Sequence, residues 1–456
     1  METCRYDRGI PVETGYDVLV AGGGPAGSAA AVCAARLGAK VLLAEATGCL
    51  GGMATSGLVT AFDGMADGRK PLVGGFMREV VETLYERGEL PSHVRPENWR
   101  RRLLTPTRFH PEPLKRLLDE LAEGAGVEVR FFTRVVDAEA DREAGSVSGV
   151  VLSQVDGLRC VRAKAYIDAT GDAVLADLCG VRCRQAGRDT EKAMAASLCW
   201  IGTGIDWSEA KRPQDYLAEA RANGDFPYPE FHSVLSNIGP CSGGFNAGHL
   251  YGLNPLDGAD LSAGMREGRR VAARYNAFYR KYVPGFAEME VACTAPLMGV
   301  RESRRIVGEY ELTFDDFKAR RQFPDQIGVF NKEVDIHAYG DSPEELAAAR
   351  EFRDSRAGWL GEGECYGIPY GVTVPKGWRD LWVAGRCASC DVMVHGSLRV
   401  MPAAAMMGQA AGTAAVQAVR SGRAANDLDT AQLVGTLRAA GAYLPQETSS
   451  PTMTRG

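Results

Sequence analysis

Apolar positions along this 456-residue chain follow two periods, one of strands and one of helices. Residues 16–21 (YDVLVA) are apolar apart from Asp17, as in a strand covered on both faces. Ala, Val and Leu then recur at helical spacing over 25–37, Gly38 can end that helix, and 40–44 predicts a second strand. The pattern further predicts helices over 75–88 and 111–123 and a strand over 127–133. Three antiparallel strands follow over 134–162, broken at 143–146 and 156–157. Another buried strand ends at Asp168-Ala-Thr-Gly171-Asp172, with a helix after it. An Ala/Met strand over 193–203, a basic and aromatic helix over 262–282, a strand ending at Gly385-Arg386 and a helix from near Pro402 complete the outline. Cys179 and Cys183 fall four apart on the helix expected there.

Two uncharged stretches, 18–35 and 402–419, are long enough to raise the question of membrane spans. Both are Ala- and Gly-rich, and the second carries two Gln and a Thr, which reads as a close-packed buried helix. Hydrophobic content of 45%, charged content of 24% and a net charge of −6 describe an ordinary globular chain. That charge gives no reason to expect nucleic acid or an anionic membrane as a partner. The opening METCRYDRGI has no apolar stretch of the signal-peptide kind. Twelve cysteines without a paired pattern indicate a reducing, cytoplasmic setting, and no metal-ligand set is visible.

The sharpest motif is Gly22-x-Gly24-x-x-Gly27, directly between the first strand and the first helix. Gly22 permits the tight turn, Gly24 removes a Cβ where a pyrophosphate approaches, and Gly27 lets helix and strand pack closely. Pro25 suits the first helical turn, and Ala26 follows it. The helix start offers free N–H groups and about half a positive charge to phosphates. Glu45 ends the second strand, where a carboxylate can bond ribose hydroxyls. Strand, turn, helix, strand and acid in register make a dinucleotide site. Gly51-Gly52-Met53 then suggests backbone passing close to a ligand.

The order of elements resembles the FAD domain of the glutathione-reductase-type flavoproteins. Together "LGGMATSGLV", "GVRESRRIVGEY", "DIHAYG", "IPYGVTVPKG" and "HGSLRVMPAAAMMGQAAGTAA" are similar to the bacterial FAD-dependent oxidoreductase family over most of 15–445. The resemblance implies an α/β fold: a Rossmann-like FAD-binding domain, with parallel sheet and three-strand meander, and an inserted α+β substrate domain. The division expected is an N-terminal tail 1–14, FAD-binding parts 15–184 and 365–444, a substrate or cap segment 185–364 and a disordered tail 445–456. It also implies FAD contacts at Ala46, Val135, Gly171, Asp172, Gly385 and Arg386, beside the motif residues above. Arg386 stands where those flavoproteins carry an acid.

The run His395-Gly-x-x-Arg399 is similar to that of the fumarate reductase and aspartate oxidase flavoproteins, which implies that both side chains hold a substrate carboxylate. Val400 and the helix behind it would then face the flavin's N1–O2 edge. Leu-Arg-Val-Met-Pro replaces the Gly-rich, Ser-containing turn of those enzymes. His337 is either a catalytic base or fixed by Asp335, and Tyr370 is a further candidate donor. Arg301 follows an apolar run and can lie in the cleft, whereas His93, His110, His232 and His249 carry no signal. The reading is an FAD-dependent enzyme exchanging hydride between flavin N5 and a small polar substrate, with an unassigned electron partner and a possible homodimer. The alternatives are a disulfide reductase using Cys387 and Cys390, a flavin monooxygenase, or a non-catalytic flavoprotein. No second strand–GxGxxG–helix unit for a nicotinamide is present.

Overall fold

The computed structural model describes Cys4 and residues 7–445, so nearly all of the expected C-terminal tail lies outside the described residues. A seven-stranded sheet carries the first core. In spatial order its strands are Glu128–Arg130, Val41–Ala44, Val12–Ala21, Gly157–Asp168, Ser146–Gln154 and Arg134–Asp141. Leu381–Val383 adds a parallel pairing to the C-terminal end of Gly157–Asp168.

Two expectations change here. The first strand starts at Val12 rather than Tyr16, because Val12 and Glu13 pair with Cys160 and Val161 before the register slips. The last meander strand and the strand ending at Asp168 are one element of 12 residues, Gly157–Asp168. Its first half pairs antiparallel with Ser146–Gln154, and its second half lies parallel to Leu381–Val383. A short polar stretch that looks like a break is only the solvent-facing edge of a continuous strand.

The two uncharged helices, Pro25–Arg36 and Met401–Ser421, pack on each other in that core. A Cβ on Gly408 would sit 2.0 Å from the Ala26 carbonyl oxygen, and one on Gly412 would sit 2.2 Å from that of Ala30. The glycines, four apart, let the backbones touch, which explains helices that are apolar on every side. No helix among the described residues is long and apolar enough to cross a membrane.

A second sheet, of four strands, has the order Ser233–Asn237, Ser242–Ala247, Trp200–Thr203, Glu290–Thr294. The long helix Gly258–Tyr282 covers it, and Trp200 stacks on Phe245 with centroids 3.9 Å apart. Its Trp200–Thr203 strand is shorter than the 193–203 expected, since Ala196 and Ser197 make only isolated bridges. Phe317, Phe330 and Tyr366 belong to the first core, so the segment after Arg304 returns to the large sheet. Cys179 ends a helix and Cys183 begins a strand, so the two do not share a helix face.

Candidate functional site

At the end of the first strand, Gly22 adopts φ +93°, and a Cβ there would meet the Ala169 carbonyl at 2.7 Å. On Gly27 a Cβ would lie 1.7 Å from the Gly22 carbonyl oxygen, so the turn itself requires glycine at both places. Gly24 differs, because a Cβ there meets nothing within 4 Å. The Pro25–Arg36 helix has no side-chain cap at Gly24, so its first amides look into that open space. Gly51 N donates to Gly23 O at 2.8 Å, which lays Gly51–Met53 over the turn, with Gly52 pressed on Gly24. An uncapped helix start, an open approach and a covering glycine pair fit a dinucleotide diphosphate.

Glu45 is buried and its carboxylate serves the turn. It accepts from Gly23 N at 2.6 Å and from Thr47 N and Oγ1 at 2.7 Å. Any ribose contact uses the lone pairs these bonds leave. Ala46 adjoins it, and Val135 lies half-buried beyond, opposite Leu152.

The structure pairs the side chains of Asp172 and Arg386, both expected at the cofactor, with each other. Arg386 Nη2 donates to Asp172 Oδ1 at 2.6 Å, and Ser303 Oγ donates to the same oxygen at 2.6 Å. Parallel pairing of Leu381–Val383 with Gly157–Asp168 brings the two strand ends together. The arginine at the acid's usual place is thus neutralised within the fold. Gly385, at φ +96°, would put its Cβ 3.2 Å from that of Ala26.

His395 commits one ring nitrogen to the fold, and its buried Nδ1 has no partner among the described residues. The helix Val392–Leu398 turns it inward to 1% exposure, where Nε2 donates to the Arg386 carbonyl at 3.0 Å. Burial, with Arg305 and Arg399 nearby, pushes the imidazole well below its usual range, so it is neutral. Tyr370 is corrected: its hydroxyl donates to Ala425 O and accepts from Trp382 Nε1, deep in the first core. The His395–Arg399 run has another task. Gly396 packs on the Asp335 backbone, Ser397 Oγ donates to Lys332 O at 2.7 Å, and Arg399 Nη2 donates to Asp335 O and Oδ2 at 3.1 Å. The run holds the loop that carries His337.

That loop meets the end of the small-sheet hairpin. Pairing of Ser233 with Ala247 sets His232 opposite Gly248 and beside His249. The His232 and His249 rings stack at 4.0 Å, and both meet His337 edge-on. His337 Nδ1 lies 3.0 Å from His249 Nε2, and His337 Nε2 lies 3.1 Å from Asp335 Oδ2. His249 Nδ1 is 2.7 Å from Glu230 Oε2. His337 and Arg399 are therefore brought together with two histidines that sequence alone could not select.

Arg301 completes the cluster. Its Nη1 donates to Ala195 O at 2.7 Å and Ser197 Oγ at 3.0 Å. Nη2 has only His232 Nε2 and Asn246 Oδ1, both at 3.4 Å. Other buried arginines have acids: Arg305 pairs with Glu302 at 2.6 Å and Arg399 with Asp335 at 3.1 Å. Among the described residues no carboxylate pairs with Arg301, and burial together with Arg399 lowers it to about 10. Burial and Arg301 in turn push His337 down to about 3. Burial works to raise Asp335, but His337, Arg399 and Lys332 hold it well below the usual carboxylate range. The result is a buried cation beside neutral imidazoles.

Cys387 and Cys390 are both fully buried and free, and burial pushes both thiols up, Cys390 to about 12. An exchanging thiolate needs the opposite environment. A Cys387→Ala, Cys390→Ala double variant should therefore keep bound FAD and reduce it within a few-fold of the parent rate. A loss of orders of magnitude with flavin content intact would restore the disulfide-reductase reading.

The sequence profile described as "FAD dependent oxidoreductase" matches residues 17–437. A curated relative from Methanospirillum hungatei, digeranylgeranylglycerophospholipid reductase, is 29% identical over 220 residues, 46% of this chain and 51% of the relative. The chain thus matches about half the length of that relative. A solved geranylgeranyl bacteriochlorophyll reductase-like protein from Thermoplasma acidophilum aligns over 94% of this chain and 83% of its own, at 15% identity and TM-score 0.50. The p-nitrophenol 4-monooxygenase of Pseudomonas putida aligns over 94% and 88%, at 13% identity and TM-score 0.45.

Proposed function

Since the chain belongs to the FAD dependent oxidoreductase family, we propose that it oxidises or reduces a small, oxygen-rich organic anion by hydride exchange with the flavin. FAD fits the turn at Gly22–Gly27, and the flavin, when bound, supplies the two-electron partner. The observation that carries the reading is Arg301, a buried guanidinium with no acid partner among the described residues. An unpaired buried charge is costly, and a substrate carboxylate or comparable oxyanion would relieve that cost on binding. A guanidinium binds such a group through parallel N–H bonds and so fixes its orientation.

The other residues divide the remaining work. Asp335 and Arg399 hold the loop from one side, and the hairpin carrying His232 and His249 closes it from the other. The neutral imidazoles beside Arg301 suit a proton given up by a hydroxyl or amine on the reacting carbon. The charged side chains around Arg301 favour a small polar substrate.

Anaerobic bleaching of the flavin tests the proposal. Hydroxy acids, amino acids and their oxidised counterparts are offered to oxidised and photoreduced enzyme. Bleaching or recovery of the flavin band with a small anion supports the reading. A response confined to neutral lipids or to nicotinamides alone defeats it.

A further inference from the structure

Asp335, His337, His249 and Glu230 form one line of polar contacts, of 3.1, 3.0 and 2.7 Å in that order. Tyr251 donates to the same Glu230 oxygen at 2.6 Å. Glu230, His249 and Tyr251 also border a cavity of about 430 Å³ that reaches Tyr228, Asp260 and Asp341.

Counting protons along this line exposes a gap. A carboxylate only accepts, so Asp335 requires the His337 proton on Nε2, and Glu230 requires the His249 proton on Nδ1. Burial opposes ionisation of Glu230, yet His249 and Tyr251 hold it at about 2, so it is a carboxylate at neutral pH. Each neutral imidazole owns a single ring proton, and both are now committed outward. Two bare lone pairs are left facing each other at 3.0 Å between His337 Nδ1 and His249 Nε2. Such a pair repels until one positive charge enters between them.

A metal ion is the first occupant to weigh, because His232, His249 and His337 lie close enough to share one. The ring geometry speaks against it. His232 stacks on His249 at 4.0 Å and 17°, so the lone pairs of the two rings lie in separate, nearly parallel planes and do not meet at one point within them. His232 Nε2 is also turned to the Arg301 guanidinium at 3.4 Å. Two ligands beside an unpaired guanidinium make a poor cation site, whereas a single proton needs only the two facing nitrogens.

We propose that His337 and His249 act together as the base of the reaction, taking the substrate's heteroatom proton between their facing nitrogens, with Asp335 and Glu230 as positioning residues that keep this gap open. The inference rests on the reading that substrate is exchanged with the flavin at a carbon bearing a hydroxyl or amine. In the oxidative direction the C–H bond breaks and its electron pair leaves as hydride. The O–H or N–H bond also breaks, its electrons form the new C=O or C=N bond, and its proton enters the gap. The histidine pair then carries one positive charge, balanced by Asp335 and Glu230, and Glu230 offers it a route to water in the cavity. The surrounding charges set when this happens. Arg301 opposes protonation from the His232 side, with Lys332 and Arg399 behind Asp335. A substrate anion on Arg301 cancels the nearest opposing charge, so the base strengthens when substrate binds.

Holo-protein labelled with ¹⁵N in histidine alone tests the dyad without any substrate. At neutral pH the expected spectrum has His249 as the Nδ1–H tautomer and His337 as Nε2–H, assigned by loss of signals in His249→Gln and His337→Gln. In Glu230→Leu, which leaves His249 Nδ1 without its carboxylate acceptor, His249 should switch to Nε2–H and close the gap, with FAD still bound. Two Nε2–H rings in the parent protein, an imidazolium at neutral pH, or one tightly held metal ion per chain would each overturn the proposal. With a substrate found by flavin bleaching, His249→Gln and Glu230→Leu should each slow flavin reduction by about 100-fold at unchanged substrate affinity. Rates within a few-fold of the parent would also overturn it. If no compound bleaches the parent flavin, the functional reading fails, and the tautomers still decide the dyad.

Discussion

Gly24→Val should yield a folded protein that holds no FAD. Gly24 has φ −65° and ψ −174°, which any residue can adopt. Its missing Cβ faces open space, so the ligand-free fold has room for a side chain. That space is where the uncapped amides of the Pro25–Arg36 helix point, and an isopropyl group there would displace a phosphate. Losing the diphosphate contacts should weaken FAD binding by at least about 1000-fold, roughly 4 kcal/mol. Gly27→Val is the contrasting control, because its Cβ would fall 1.7 Å from the Gly22 carbonyl oxygen and break the turn itself. Circular dichroism and flavin absorbance separate the two. Gly24→Val should match the apo parent in helix content and melting temperature, since bound flavin alone stabilises the holo form. A yellow Gly24→Val protein with one FAD per chain would remove the phosphate assignment.

The dinucleotide half was legible because its chemistry lies in consecutive residues. Strand, glycine turn, helix and acid occupy one short stretch, so spacing alone specifies geometry. The cluster proposed for catalysis draws on five separate segments, around 230–232, 249–251, 301, 335–337 and 399, and contact among them depends on tertiary pairing. His232 and His249 flank a hairpin whose register makes them neighbours, but neither sits in a recognisable motif. The symmetric placement of two histidines about Ser233–Ala247 was the available signal, and it needs the hairpin to be known first. His395 shows the opposite case. Its run is local and distinctive, and Arg399 within it supports the Asp335–His337 loop, while His395 Nε2 bonds a backbone carbonyl. Arg386 followed the same logic: a residue unusual at a strand end found its acid, Asp172, on the neighbouring strand end. Local sequence reports how a side chain is mounted, and partners from distant segments decide what it meets.

Arg301 carries the largest catalytic expectation. Arg301→Lys keeps a cation but loses the planar fork, and Arg301→Met removes the charge while filling similar space. If Arg301 binds the substrate anion, each variant should lower the flavin reduction rate at limiting substrate by roughly 30- to 1000-fold, about 2–4 kcal/mol. Both should retain FAD, because the diphosphate turn is built from other segments. Stability supplies the discriminating sign. Arg301 has no acid partner among the described residues, so deleting its charge removes a buried cost, against which stand the lost bonds to Ala195 O and Ser197 Oγ. Arg301→Met should therefore melt within a few degrees of the parent while turning over far more slowly. A structural arginine would give the reverse: a marked fall in melting temperature, with residual activity tracking the folded fraction. Normal turnover by both variants with FAD in place would move the anion site away from Arg301, leaving Arg399, freed from Asp335 by a loop movement, as the residue to test.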